Sequence, residues 1–398
     1  GQAQTSMALL SSLAPFLLFH LPLVAAAGSA LYHVAVAFAA LRFHWAKEPA
    51  ADFTPPVSLL KPLRGIEQGF YATLKTFFQQ DYPAYEIVFG LSDAKDAASW
   101  TIAQLRREFP KVPVKVVLVP ESAAAIPANP SNPKMRKLQQ MVAEASHEVL
   151  VITDADIRVE PDYLRRVMRP LADERVGLVT SLYRGVPVGK LGSVLEALGM
   201  SGDFAGQVLL ARALRGVRFG LGATLATRKK QITEIGGLAP WADYLADDFV
   251  LGDRIAAAGY RVHLSHTVVE TLLPYRAFSE AFHQQLRWAR TIRACSPRGY
   301  PGLLFAYAAP LAIIPALAYP GSALALMVLD AALIARWLAA WAAGVLVCRD
   351  RVVRNYFWLL PVRDLLALLI WLLSFFGREI VWRQARFRLG ADGRIKPA

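Results

Sequence analysis

Apolar positions along this chain fall into three regimes. Residues 8–41 are almost unbroken apolar sequence, interrupted by His20, Pro22, Tyr32 and His33. That run is long enough to span a bilayer. Its length, and the lack of a small-residue cleavage site, favour an uncleaved anchor over 7–44 rather than a signal peptide. Gly1-Gln2-Ala3-Gln4-Thr5-Ser6, ahead of Met7, reads as an expression scar. Arg42, His44 and Lys47 follow the run, so the positive-inside rule places the next segment in the cytoplasm.

From 55 to 275 the apolar residues come instead in short runs separated by amphipathic stretches. Strands are expected at 57–60, 85–90, 114–119 and 149–152, with helices at 67–79, 97–108 and 134–146. This alternation predicts an α/β domain with a right-handed, mostly parallel sheet. A helix at 161–169 and a strand at 176–180 follow. Residues 191–218 carry Leu191, Val194, Leu195 and Leu198 on one side, which suits either a helix lying on the membrane or one facing the core. An interfacial helix is expected over 276–298.

The third regime, 299–377, is apolar again, with membrane candidates at 301–318, 322–347 and 356–376. A cytoplasmic domain and a cytoplasmic tail require an even number of crossings. The segment 356–376, interrupted by Pro361 and Arg363-Asp364, is therefore expected to be interfacial or re-entrant. The tail 378–398 is basic, with Arg378, Arg383, Arg386 and Arg388.

Composition agrees with a membrane protein. Hydrophobic residues make up 55% of 398, and the mean hydropathy is +0.33. A net charge of +13 calls for an anionic partner, and in so apolar a chain a lipid surface fits better than nucleic acid. With only Cys295 and Cys348, no disulfide framework is indicated.

The candidate chemistry begins where the run Val149-Leu150-Val151-Ile152-Thr153 ends in Asp154-Ala155-Asp156. Open α/β sheets bind ligands at such a strand edge. Two unpaired acids there are too costly to bury, and together they can face one hard cation that holds a diphosphate. Lys61 and Asp93 stand at the ends of two expected neighbouring strands. Lys134, in Asn132-Pro133-Lys134, opens a helix whose free N–H groups suit a phosphate. Asp247-Asp248 can supply a general base, or Asp247 can cap the helix over 249–258. Mutual repulsion raises the proton affinity of one of the two. Gln284, Arg287 and Trp288 share a helix face at i, i+3 and i+4. The arginine fork suits a diphosphate, and the tryptophan equally suits a membrane interface. His283 is the nearest rival base.

Taken together, these motifs resemble those of inverting membrane glycosyltransferases, in particular the ceramide glucosyltransferase family. The likeness runs from Ser58 to Lys396, through K-P-L-R-G (61–65), Q-D-Y-P (80–83), N-P-K (132–134), D-A-D-I-R-V-E-P-D (154–162), I-G-G-L (235–238), A-D-D-F (246–249), Q-Q-L-R-W (284–288) and W-R-Q-A-R-F-R-L (382–389). The forms D-A-D, L-Y-R-G (182–185) and L-A-D-D (245–248) look more like a bacterial branch that includes hopanoid glycosyltransferases.

The resemblance implies a GT-A catalytic domain over 55–275, cytoplasmic at a bacterial inner membrane. It implies a UDP-sugar donor, glucose favoured, and a membrane-lipid acceptor, ceramide or hopanoid. Asp154 and Asp156 would hold Mg²⁺ or Mn²⁺. Lys61, Pro62 and Asp93 would line the uridine site, with Lys134 near it. Asp248 would be the base with Asp247 in support, and Gln284, Arg287 and Trp288 would close the site. The alternatives are a hopanoid transferase using UDP-GlcNAc, a processive polysaccharide synthase and a non-catalytic membrane scaffold.

Overall fold

The computed structural model describes residues 2–66, 68–120, 132–189, 191–275, 277–382, 385–390 and 392–397; Arg383 of the basic tail lies outside them. Helix α1 (Gln2–Trp45) carries the first apolar run, and its stretch His20–Trp45 has a mean hydropathy of 1.8. Then come β1 (Val57–Pro62), α2 (Phe70–Phe78), β2 (Tyr85–Leu91), α3 (Ala98–Glu108), β3 (Val114–Leu118), α4 (Pro133–Glu144) and β4 (Val149–Ile152). This is the expected alternation. Every residue of β1 and β4 is buried, as strands covered on both faces should be.

The chain continues through β5 (Ile157–Arg158), α5 (Tyr163–Met168), β6 (Val176–Pro187), α6 (Leu191–Gly199), α7 (Ala205–Arg215), β7 (Leu225–Arg228), α8 (Lys229–Glu234), α9 (Asp247–Ala257), β8 (Arg261–Leu273) and α10 (Phe278–Cys295). One eight-stranded sheet results, in the order β3-β2-β1-β4-β7-β6-β8-β5. Its β3-β2-β1-β4 part is parallel, whereas β7 runs antiparallel to both β4 and β6. The chain leaves β1 for β2 on one side and returns as β4 on the other. The C-terminal ends of β1 and β4 therefore flank a switch point, where such sheets open a crevice. Beyond it, β6 and β8 pair in parallel with register shifts before Leu178 and before Tyr183, irregularities of the kind that re-aim side chains beside active sites.

Alternate strand residues feed two cores. Leu59, Ile87, Phe89 and Val151 pack with α2, α3 and α5 on one face. On the other, Leu60, Val88, Leu150 and Ile152 share a cluster with α4, α9 and α7, and with Ala40 and Phe43 of α1. Helix α1 is thus packed into the core of the α/β domain. The 191–218 segment is core-facing: α6, a π-helical turn Met200–Phe204 and α7 follow one another, and Leu195 and Leu198 are buried against Val353, Leu359 and Leu360.

The C-terminal part forms α11 (Ala308–Ala318), α12 (Ala323–Ala340), α13 (Arg351–Tyr356) and α14 (Leu360–Ser374). Besides the α1 stretch, Ala323–Val347 and Arg351–Ser374 are long and apolar enough to cross a membrane, each with a mean hydropathy of 1.8. The expected interruption at 356–376 is not where the break falls. Pro361 sits in the first turn of α14, where proline is tolerated. Asp364 is buried in an ion pair with Arg336 of α12, 2.9 Å away, so its charge is neutralised inside the bundle. The bend, 63°, lies instead between Tyr300–Ala306 and Ala308–Ala318. The tail also departs from a plain basic extension: β9 (Glu379–Trp382), β10 (Ala385–Leu389) and β11 (Ile395–Pro397) form a three-stranded antiparallel sheet. The mixed α/β sheet with attached membrane helices matches the GT-A expectation.

Candidate active site

The site is built at the switch point. Asp154 leaves the end of β4, its N–H donating to the Gly222 carbonyl at 3.2 Å. Beneath it the Lys61 ammonium is fully buried, 3.7 Å from the centre of the Phe77 ring. It donates to Thr153 Oγ1 and to the Asp154 carbonyl, both at 2.9 Å. Lys61 was expected to line the nucleotide site. Burial instead makes it a tie between the ends of β1 and β4, and burial, only partly offset by Asp156 and Asp154, pushes its pKa down to about 7.

Lys134 is the hub of the site. Asn132 caps α4 by accepting from the Lys134 and Met135 N–H groups, which sets the lysine in the first turn. Its ammonium lies 2.8 Å from Asp154 Oδ1 and 2.8 Å from Asp247 Oδ2. Burial works against that charge, yet Asp154, Asp247 and Asp248 together hold it above the usual lysine value. Asp247 is the first residue of α9 and not its cap; the cap position is Ala246, whose side chain makes no capping bond.

Asp248 is enclosed. Gly222 N–H donates to its Oδ2 at 2.7 Å and Phe249 N–H to its Oδ1 at 2.8 Å. Burial first, then the charge on Asp247, pushes its pKa up to about 6 against the pull of Lys134. Gly222 lies between Asp154 and Asp248. A Cβ built there would stand 2.6 Å from Asp154 Oδ2 and 3.3 Å from Asp248 Oδ2, so only glycine lets both carboxylates converge. Asp156 points to β8, where Thr271 Oγ1 donates to its Oδ2 at 2.8 Å.

The remaining predicted residues lie around this centre. Pro62 is buried at the end of β1, and Asp93 is exposed after β2, accepting from the Lys95 N–H at 2.9 Å. Gln284, Arg287 and Trp288 are half-buried on α10. Trp288 packs with Tyr183, Ala197, Met200 and Leu273. At the far end of that helix, burial and the nearby charge of Asp248 push the Cys295 thiol up to about 12. His283, the rival base, is exposed in the opposite half of α10, bonded to the Ser279 carbonyl.

Sequence reasoning did not single out Tyr183 or Gly222. Burial and the charges of Asp248, Asp154 and Asp156 raise the Tyr183 phenol above its ordinary value. The signal for Gly222 was present in Phe219-Gly220-Leu221-Gly222. A Cβ on Gly252 would fall 2.2 Å from the Gly220 nitrogen, so glycines on both sides let this loop lie against α9.

Asp154, Asp156, Asp247 and Asp248 together outnumber the ammonium groups of Lys61 and Lys134. A diphosphate would meet a net negative site unless it brought a cation. Among the described residues no three His, Cys, Asp or Glu side chains form a complete metal-binding group. Two carboxylates that leave further positions to phosphate oxygens and water are, however, the usual way Mg²⁺ is held with a nucleotide. The half-exposed Asp154 and its neighbour Asp156 fit that pattern.

The sequence profile of glycosyl transferase family 21 matches residues 20–395. The chain belongs to that family. It is 24% identical over 236 residues to ceramide glucosyltransferase 3 of Caenorhabditis elegans, covering 59% of this chain and 50% of that protein. It is 23% identical to ceramide glucosyltransferase 1 of the same organism, covering 67% and 56%. The chain thus spans about half the length of these curated relatives. Among solved structures, a mannosyltransferase from Pyrobaculum calidifontis in complex with GDP-Man and Mn²⁺ aligns with a TM-score of 0.48 at 20% identity, covering 88% of this chain and 99% of that one.

Proposed function

We propose that this family 21 chain transfers a sugar, with inversion, from a UDP-sugar to a hydroxyl of a membrane lipid. Glucose is the favoured sugar, and ceramide or a hopanoid the acceptor. The observation that carries this reading is the convergence of Asp154 and Asp248 over Gly222, with Lys134 bridging Asp154 and Asp247 and apolar helices packed into the same core.

In this reading Asp154 and Asp156 hold the donor side. Mg²⁺ or Mn²⁺ between them and the diphosphate would act as a Lewis acid, neutralising charge on the departing UDP. Lys61 fixes the main chain under Asp154, while Pro62 and Asp93 border the uridine end. Lys134 keeps the acids of the two halves in a fixed relation. Asp248 accepts the proton of the acceptor hydroxyl as its oxygen bonds to the anomeric carbon from the face opposite UDP, and the sugar–phosphate bond breaks. A carboxyl with a pKa near 6 is mostly ionised at neutral pH yet more basic than an ordinary aspartate, as a general base requires. Trp288 and Tyr183 stand at the edge between the acids and the apolar cluster under the membrane helices, where a lipid hydroxyl would enter. The protein would sit in a bacterial inner membrane with the sheet on its cytoplasmic side.

The test is reconstitution. The purified protein in phosphatidylcholine vesicles with ceramide or a hopanoid, given UDP-glucose or UDP-GlcNAc, should form a glycolipid of opposite anomeric configuration to the donor, read by mass spectrometry and NMR. EDTA should stop the reaction. No glycolipid from any pairing, or a product of retained configuration, contradicts the reading.

A further inference from the structure

Among its described residues the C-terminal tail contributes none to the acid cluster, yet it makes a sequence-distant contact immediately before it. The segment Asp243-Tyr244-Leu245 pairs antiparallel with the tail. Ile395 N–H donates to the Asp243 carbonyl at 2.8 Å, Leu245 N–H to the Gly393 carbonyl at 3.3 Å, and Tyr244 and Arg394 form the bridge between them. The Arg394 guanidinium lies over the Tyr244 ring, 5.3 Å from its centre. Leu245 is buried with Ile380, Leu389 and Ile395, and Ala294 of α10 joins the same cluster. Arg290 of α10 donates to the Glu379 and Phe376 carbonyls, so the tail also holds the helix of Gln284, Arg287 and Trp288.

The other side of the same segment is held by the lysine loop. Asn132, which caps the helix of Lys134, donates through its N–H to the Ala242 carbonyl at 3.2 Å and through Nδ2 to the Tyr244 carbonyl at 3.0 Å. Residues 242–245 are therefore clamped between the cap of α4 and the tail sheet. Asp247 and Asp248 begin two residues later.

We infer that the tail sheet, through Ile395, Arg394 and Gly393, is a positioning strap that sets the Asp247–Asp248 pair against Lys134 and Gly222. The inference rests on the proposed role of Asp248. The strap touches the acceptor half of the site and leaves the β1–β4 end alone, so loosening it misplaces the base without unmaking the donor site. A misplacement of about 1 Å costs roughly 10²-fold in turnover.

The test compares full-length Ile395→Asp, Gly393→Ala and Ile395→Val with wild type and with Asp248→Asn, in vesicles containing the acceptor. Gly393→Ala, at φ +83°, strains only the turn and covers the case in which Ile395→Asp fails to fold. Hydrogen exchange of peptides spanning 240–248 and 149–156 is read alongside UDP affinity and turnover. The expected result is faster exchange in 240–248 but not in 149–156 for Ile395→Asp and Gly393→Ala. Their UDP affinity stays within about twofold, turnover falls by roughly 10²-fold, and Ile395→Val behaves as wild type. Unchanged exchange in 240–248, or unchanged turnover while Asp248→Asn is inactive, overturns the strap. Full turnover by Asp248→Asn overturns the proposed base instead, and the exchange data then still decide whether the tail holds the segment.

Discussion

The two halves of the site are made in different ways. The donor half, Asp154 over Lys61, stands on regular parallel strands whose side chains are wholly buried, and its geometry follows from sheet register. The half proposed to face the acceptor, Asp247 and Asp248, stands in the first turn of α9, after a segment held by a glycine contact, an asparagine cap and a folded-back tail. The first half needs little beyond the local sequence. The second is assembled from residues 132, 222 and 395, far apart in the chain. In the proposed function, such an arrangement would let one rigid half grip a soluble nucleotide while the other, tied to α10 and the tail, is adjusted towards a lipid.

Lys134 joins the halves, so its loss should be the most damaging single change. Lys134→Ala leaves Asp154, Asp247 and Asp248 facing one another without their shared cation. Breaking a buried pair of this kind costs about 3–5 kcal/mol; partial exposure of Asp154 argues for the lower end. Thermal unfolding should move down, and UDP affinity and turnover should fall together. Turnover alone falling would mean that the halves do not depend on this contact.

Gly222→Ala attacks the seam without removing a charge. The added methyl must displace Asp154 Oδ2 or the loop, so turnover should drop by about 10²-fold with stability nearly kept. A variant within a few-fold of wild type would show that the carboxylates need not converge.

The pH profile separates the halves more gently. As the proposed base, Asp248 would act only when ionised, and its pKa is raised to about 6. Turnover should therefore be flat above that pH and fall about tenfold per unit below it. Asp247→Asn removes the neighbouring charge, lowers the pKa of Asp248 and should shift this limb to lower pH. A limb that stays in place would exclude Asp248 as its source. The smallest effect is expected at His283→Ala, which should leave turnover within a few-fold, because that ring is exposed and bonded within its own helix.

The same contrast explains what could be read from the sequence. Strands ending at Pro62, near Asp93 and at Asp154 were legible because buried parallel strands are apolar throughout and end in polar residues. The Asp247–Asp248 pair and the α10 face were visible as composition. What held them was not, since Asn132 to Ala242 and Leu245 to Gly393 are main-chain bonds between segments with no shared pattern. Strand β8 went unpredicted although buried Val262 and Leu264 flank the half-buried His263, because His263, His266 and Glu270 obscured the period. Lys61 reads from the sequence as a ligand-facing cation. A lysine at a strand end suggests solvent, and only the packing of Phe77 and Thr153 around it shows otherwise.

The central claim is that one half binds the donor and the other takes the proton. The direct measurement is UDP-sugar affinity beside single-turnover transfer for Asp156→Ala and Asp248→Asn, in protein shown to be folded. The account predicts that Asp156→Ala loses donor affinity and transfer together. Asp248→Asn should keep donor affinity within a few-fold and lose transfer by about 10²–10⁴-fold. Equal loss of donor affinity in both variants, or transfer by Asp248→Asn at the wild-type rate, would contradict it.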